Sequence, residues 1–228
     1  MAIDFYWGSG SPYCWRVQLA LEHKRLPYNS HLLKFDSQEH KAPQMLAMNP
    51  RGKLPVLKDG DYVVFESVAI LHYLDQKYPE PPIFGVTPEE TGVITRVISE
   101  YQTYAEPSLM QFVGAVMSRR NAQANAPLDE SVADALYCVG GEARTIERRL
   151  TMGDWVVGNQ FSAVDMVIYP DIRLLLRALE QPAARDLAAR FLPVDINYPA
   201  LGHWLERVAA LPGHNRTWPP GWGPPPRA

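Results

Sequence analysis

Apolar residues recur along this chain in two rhythms, and the change between them falls near residue 80. Ile3 to Trp7 is short and aromatic, and Gly8-Ser9-Gly10 ends it, which predicts a strand and a turn. Ser11-Pro12 then opens a helix. Serine is a favoured N-cap, and proline suits the first helical position because its missing N–H is not needed there. Cys14, Val17 and Leu21 follow at i, i+3, i+7, with Ala20 beside them, so one apolar face runs to about Lys24. Tyr28 to Leu33 predicts a second strand, and a β-α-β unit implies a parallel pair. From Pro55 to Phe65 two apolar runs flank Asp59-Gly60, a hairpin signal. Val68, Leu71 and Leu74 are spaced for a helix that Pro79 ends. The predicted order is β-α-β, an irregular segment with one helix, then β-β-α.

Pro79 to Glu90 is proline-rich and interrupts the pattern, as a linker does. Beyond it the alternation of strands disappears. Glu89 to Arg120, Leu128 to Leu150, Ser162 to Leu179 and Pro199 to Leu211 carry apolar residues three or four apart. Ser162 and Asp165 stand three apart before an apolar run, a capping box, with Phe161 and Met166 placed to staple it. The last residues, TWPPGWGPPPRA, predict no regular structure. The expected organisation is an α/β domain at 1–79, a linker at 80–88, an all-α domain at 89–212 and a Pro/Trp-rich tail at 213–228.

Composition narrows the class. The chain has 228 residues, 46% of them hydrophobic, enough for a full core. Its net charge of −3 comes from interspersed charges of both signs, so no basic face favours nucleic acid. Two cysteines, Cys14 and Cys138, exclude a disulfide scaffold and fit a reducing compartment. Neither a signal-peptide pattern nor an apolar stretch of about 20 residues is present, so a soluble cytoplasmic protein is expected. The six histidines show no paired ligand spacing, so no metal is expected.

The candidate chemistry begins at "SGSPYCWRV". With cysteine at position 11 this would be a redox dithiol, but Ser-Pro-Tyr-Cys cannot close a disulfide within itself. Ser11 stands at a helix N-terminus, where backbone N–H groups and the dipole favour an anion such as a thiolate. A free thiol titrates near about 8.5, and lowering that by about 1.5–2 units takes roughly 2–3 kcal/mol. One hydrogen bond to a charged group contributes about 1.5–3 kcal/mol. A single hydroxyl is therefore sufficient to hold a visiting thiolate, although Ser11 read from its local sequence alone is more simply a plain N-cap. Pro55, at a strand start, leaves the backbone of Leu54 open to an extended partner. Glu66 and Ser67 begin the next helix and suit an ammonium and a carboxylate. His40, Lys41 and Lys53 offer cations for a second carboxylate. A zwitterionic end, a central thiol and a terminal carboxylate are the parts of glutathione.

With those residues in view, the chain resembles the cytosolic glutathione transferases over nearly its whole length. The block EHKAPQMLAMNPRGKLPVLKDGDYVVFESVAILHYL, Glu39 to Leu74, is similar to the phi and theta classes. SPYCWRV is closer to tau and zeta members, so the class stays open within the serine-type group. The resemblance implies a thioredoxin-like first domain (βαβ-α-ββα) followed by an all-α domain. It implies Ser11 as the catalytic hydroxyl, with His40, Lys53, Leu54, Glu66 and Ser67 binding glutathione as co-substrate. Ser9 and Tyr6 are competing hydroxyls ranked below Ser11, and Cys14 packs under the first helix. A small apolar electrophile is the expected second substrate, bound between the domains. Tyr104, Phe112, Met117 and Trp218 are its candidate contacts, with Met110 and Trp222 beside them. A homodimer and a role in detoxification are further expectations of the resemblance.

Three alternatives compete with conjugation. The short zeta match at Trp15-Arg16-Val17 allows isomerisation or dehalogenation, in which glutathione is regenerated. The same fold also serves as a non-catalytic ligand binder. A thiol-disulfide oxidoreductase ranks last, because position 11 has no sulfur.

Overall fold

A computed structural model describes residues 3–119 and 129–224. The predicted termini Arg120 and Leu128 of two helices lie outside the described residues. The chain divides into two units, Met1–Val86 joined by Ala209–Ala228, and Thr87–Val208.

The first unit is built on a four-stranded sheet ordered β2-β1-β3-β4. Strand β1 (Ile3–Trp7) pairs parallel with β2 (Tyr28–Leu32), Ile3 opposite Tyr28, and antiparallel with β3 (Val56–Asp59), Phe5 opposite Leu57. Strand β4 (Tyr62–Phe65) closes the hairpin, Asp59 opposite Tyr62, and Gly60 takes the positive φ of 63° that the head of a two-residue turn requires. Helix α1 (Pro12–His23) links the parallel pair, and α3 (Ser67–Lys77) packs against it. Between β2 and β3 lie a 3₁₀ turn, Glu39–Lys41, and the short helix α2 (Pro43–Met48). This is a thioredoxin-like βαβ-α-ββα arrangement. Ile3, Phe5 and Trp7 of β1 are buried with Val17, Ala20 and Leu21 of α1 and Ile70, Leu71 and Leu74 of α3.

The proline-rich segment after α3 is tied down rather than slack. Lys24 at the end of α1 is buried, and its Nζ donates to Asp75 Oδ1 at 2.8 Å and to the carbonyls of Tyr78 and Pro81. The same carboxylate accepts the N–H groups of Ile83 and Phe84. Three X-Pro bonds are cis, at Leu54-Pro55, Glu80-Pro81 and Leu192-Pro193.

The tail carries no helix or strand over 218–224, yet it is packed rather than loose. It forms one helical turn, α11 (His214–Thr217 in chain order), and returns to α1. Trp15 Nε1 donates to Thr217 Oγ1 at 2.8 Å, and Arg216 pairs with Glu22. The rings of Trp15, Trp218 and Trp222 stand mutually edge to face, with centroids 5.4–6.0 Å apart.

The second unit is helical: α4 (Pro88–Glu100), α5 (Glu106–Ser118), α6 (Glu130–Leu150), α7 (Ala163–Leu179) and α10 (Pro199–Ala209), with single turns α8 (Arg185–Ala188) and α9 (Val194–Asn197). The long helix expected from Glu89 is interrupted by a π turn at Tyr101–Ala105. Pro107 follows it and has no N–H to give the carbonyl one turn back, which favours a local change of winding. The capping box at Ser162 forms: Asp165 accepts the N–H and the hydroxyl of Ser162, together with Val156 N–H and Trp204 Nε1. No helix among the described residues is long and apolar enough to cross a membrane.

Candidate functional site

A cavity of about 300 Å³ in the first unit is lined by Tyr13, Asn49, Lys53, Leu54, Pro55, Glu66 and Ser67. Three sequence segments converge on it. The first is the start of α1. Ser11 caps this helix, with its Oγ accepting the Cys14 N–H at 3.4 Å. The same hydroxyl also lies within hydrogen-bond reach of the Cys14 thiol. Ser11 is half-buried and lies two residues before Tyr13 in the cavity wall.

The second segment is the loop before β3. Buried Asn49 shapes it: Nδ2 donates to the Lys53 carbonyl at 2.8 Å, and Oδ1 accepts the Arg51 N–H. Gly52 takes φ 57°, and a Cβ there would press on Leu46 and Lys41. This turn presents the exposed Lys53 ammonium and the Leu54 backbone, whose N–H and C=O have no protein partner among the described residues. The 3₁₀ turn carrying His40 abuts Gly52 through the His40 carbonyl, while Lys41 points to solvent. The His40 ring stands edge-on to Phe35, and its buried Nδ1 has no hydrogen-bond partner among the described residues.

The third segment is the start of α3. Glu66 is exposed and takes φ 70°, a strained backbone for a residue with a side chain. Ser67 is buried, and its Oγ accepts Arg16 Nη1 at 3.4 Å. Ser67 therefore keeps its proton for a ligand acceptor. Arg16 is 0% exposed, and its guanidinium lies 4.6 Å over the Tyr13 ring. A buried positive charge directly beneath Ser67 favours a carboxylate there.

Among the expected binding residues, the cavity brings together Lys53, Leu54, Glu66 and Ser67. His40 stands beside the Gly52 turn rather than in the lining. Sequence reasoning missed Tyr13 and Asn49 as part of this wall, and Arg16 bonded to Ser67 behind it. The available signal for Arg16 was a charge set within an otherwise buried run of α1.

The competing groups are engaged elsewhere. Ser9 Oγ donates to the Pro220 carbonyl at 2.8 Å. Tyr6 stacks on His31, with centroids 4.5 Å apart, and lines a different cavity with Met45 and Met48. Cys14 is 1% exposed. Burial pushes its thiol up to about 11, against the hydrogen bonds with Ser11 and Gly8.

The second-substrate candidates separate. Tyr104 is 65% exposed on the π turn, and Met117 is half-buried on α5. Phe112 is fully buried among the core residues of the helical unit, which corrects its assignment to a pocket wall. Trp218 is packed against Trp15 and Trp222 in the first unit. No cluster of three or more metal-ligating side chains occurs among the described residues.

Comparison with known proteins agrees with this layout. Residues 6–82 match the model of the glutathione S-transferase N-terminal domain. The chain is 30% identical to glutathione S-transferase A of Pleuronectes platessa over 221 residues, covering 95% of this chain and 91% of that one. It is 28% identical to a probable maleylacetoacetate isomerase of Vibrio cholerae over 81% of this chain and 87% of the relative. The crystal structure of a glutathione S-transferase from the Antarctic clam Laternula elliptica superposes with a TM-score of 0.80 at 27% identity, over 97% of this chain and 94% of that one. A match of 30% identity over nearly the whole length of both chains shows that this chain belongs to the glutathione S-transferase family.

Proposed function

We propose that this enzyme activates glutathione through Ser11 and transfers it to a small apolar electrophile. The observation that carries the reading is the cavity that gathers Lys53, Leu54, Glu66 and Ser67 above the buried Arg16. A γ-glutamyl group places its carboxylate at Ser67 and its ammonium at Glu66. The cysteinyl backbone pairs with Leu54, and the glycine carboxylate meets Lys53 and His40. The sulfur then lies at the start of α1, where the Ser11 hydroxyl donates to the thiolate and the helix end adds its partial positive charge.

In the transfer step the thiolate electron pair forms the new carbon–sulfur bond. In substitution the leaving group departs with its own bonding pair; in addition the adjacent carbon takes the pair and then a proton from water. The Ser11 proton stays on its oxygen throughout. Tyr104 and Met117 are the residues of the helical unit offered to the second substrate. Assembly as a homodimer and residence in the cytosol accompany the family reading.

Steady-state turnover with glutathione and an activated aryl chloride tests the assignment. Ser11→Ala should raise the apparent pKa of the bound thiol by about 1–2 units and lower kcat near pH 6.5 roughly 10–100-fold. Unchanged turnover and an unchanged thiol pKa would remove Ser11 from its role.

The match to a maleylacetoacetate isomerase relative favours a second use of the same thiolate. Here sulfur adds to an activated double bond, the carbon skeleton rotates, and glutathione is expelled. Free glutathione then stays constant as product accumulates, whereas conjugation consumes one per turnover.

A further inference from the structure

The turn that carries Ser11 has little stiffness of its own. Gly8, Ser9 and Gly10 precede it, and glycine has the widest backbone freedom of any residue. The turn is nonetheless closed tightly. Ser11 N–H donates to the Gly8 carbonyl at 3.3 Å, and Gly8 N–H donates to Cys14 Sγ at 3.4 Å. Two aromatic rings from distant parts of the sequence press on its glycines. A Cβ at Gly8 would overlap the ring of Phe35. A Cβ at Gly10, which sits at φ 77°, would lie 3.2 Å from Nε1 of Trp222. The tail also ties the residue between them, because Ser9 Oγ donates to the Pro220 carbonyl at 2.8 Å. Trp222 is itself set by its edge-to-face contacts with Trp15 and Trp218, and Trp218 Nε1 donates to the Gly223 carbonyl at 3.0 Å.

We propose that Trp222 and Phe35 are positioning residues for the Ser11 hydroxyl, clamping the Gly8–Ser11 turn so that its donor keeps one place relative to the bound sulfur. This rests on the assignment of Ser11 as the donor to the thiolate. A hydrogen bond to a charged sulfur weakens steeply with misplacement, and a displacement of about 1 Å is enough to cost on the order of 100-fold in rate. Neither glycine accepts a side chain without displacing its ring, so the turn and the two rings form one fitted set. Phe35 also meets the His40 ring edge-on at 5.2 Å, which joins the glycine end of the site to the thiol end. The tail residues 218–223 thereby act on chemistry at a side chain more than 200 positions earlier in the sequence.

The test uses the full chain and measures three quantities in parallel: the thiol pKa in the glutathione complex, the glutathione Kd, and the thermal midpoint. Trp222→Ala is expected to raise the thiol pKa by about one unit and lower kcat/KM near pH 6.5 about tenfold, with Kd changed less than threefold. Trp222→Phe, which keeps a ring over Gly10, is expected to restore most of the pKa. Should Trp222→Ala fail to fold, Ser9→Ala removes only the tie to Pro220 and is expected to move the pKa in the same direction by less. A thiol pKa unmoved in the tail variants, while Ser11→Ala shifts it, overturns the positioning role and leaves Ser11 in place. A pKa unmoved in Ser11→Ala as well overturns both.

Discussion

Arg16 Nη1 stands 3.4 Å from Ser67 Oγ, and the guanidinium behind it is completely buried. Ser67, which accepts from this charge, also lines the cavity. An anion held at Ser67 gains from the positive charge close by. Arg16→Met is therefore expected to weaken glutathione binding by about 10–100-fold. Arg16→Lys, which keeps the charge but loses the planar fork over Tyr13, should weaken it by roughly 3–10-fold. Calorimetric titration with glutathione and with an analogue lacking the γ-glutamyl carboxylate checks the cause. The wild type should discriminate between them and Arg16→Met should not. Equal discrimination in both proteins would detach Arg16 from the carboxylate.

The two cysteines occupy opposite environments. Cys14 is enclosed beneath the Ser11 turn, with its thiol pushed up to about 11 by burial, whereas Cys138 is exposed on α6. Alkylation of the native protein near pH 8 should give a single adduct, on Cys138, with activity retained. Cys14 should react only after denaturation, because the thiolate is the reactive form. Mass spectrometry of the peptides reads the result directly. Rapid labelling of Cys14 in the folded protein would reopen a redox function for the Ser-Pro-Tyr-Cys stretch.

His23, at the end of α1, is held well below its usual range, down to about 4. Burial is the first cause, and the neighbouring charges of Lys24 and Arg25 add to it. Above pH 6.5 the ring is neutral in both folded and unfolded chains. Between pH 6.5 and 4 the unfolded chain takes up a proton that the folded one refuses, so this residue costs stability as the solution is acidified. The loss amounts to about 2 kcal/mol by pH 4.5. Urea unfolding of wild type and His23→Gln at pH 7 and pH 4.5 measures it. The wild type should lose about 2 kcal/mol more than the variant on acidification, and equal losses would contradict the assignment.

The parts of the molecule legible in the sequence are those with local causes. The Ser11-Pro12 cap, the 3,4-spaced face of α1, the Asp59-Gly60 turn and the Ser162–Asp165 box each rest on residues within one or two turns of one another. The features that were not legible have causes far away in the chain. Trp15 and Thr217 bond across 202 positions, so a run of Trp, Pro and Gly that looks shapeless alone acquires a fixed path. The π turn at Tyr101–Ala105 leaves the apolar spacing on either side intact, so periodicity runs through it unmarked. In the site, Glu66, Ser67, Lys53 and Leu54 announce themselves by chemistry at element ends. Arg16 does not, because a charged residue inside a helix normally reads as a solvated face. Its bond to Ser67 is visible only in the fold.

The first unit is assembled from two stretches of chain, with the whole helical unit between them. During synthesis on the ribosome, the sheet, α1 and α3 emerge first, and the contacts of Trp15 with Thr217, Trp218 and Trp222 form only once those residues have followed. The Ser11 turn is thus packed by residues more than 200 positions later in the chain. A fragment ending near Val86 would keep the strands of the sheet but lack the tail contacts of Trp15, Ser9 and Gly10. Proteolysis within the tail would remove the same contacts from the Gly8–Ser11 turn while leaving the strands in place.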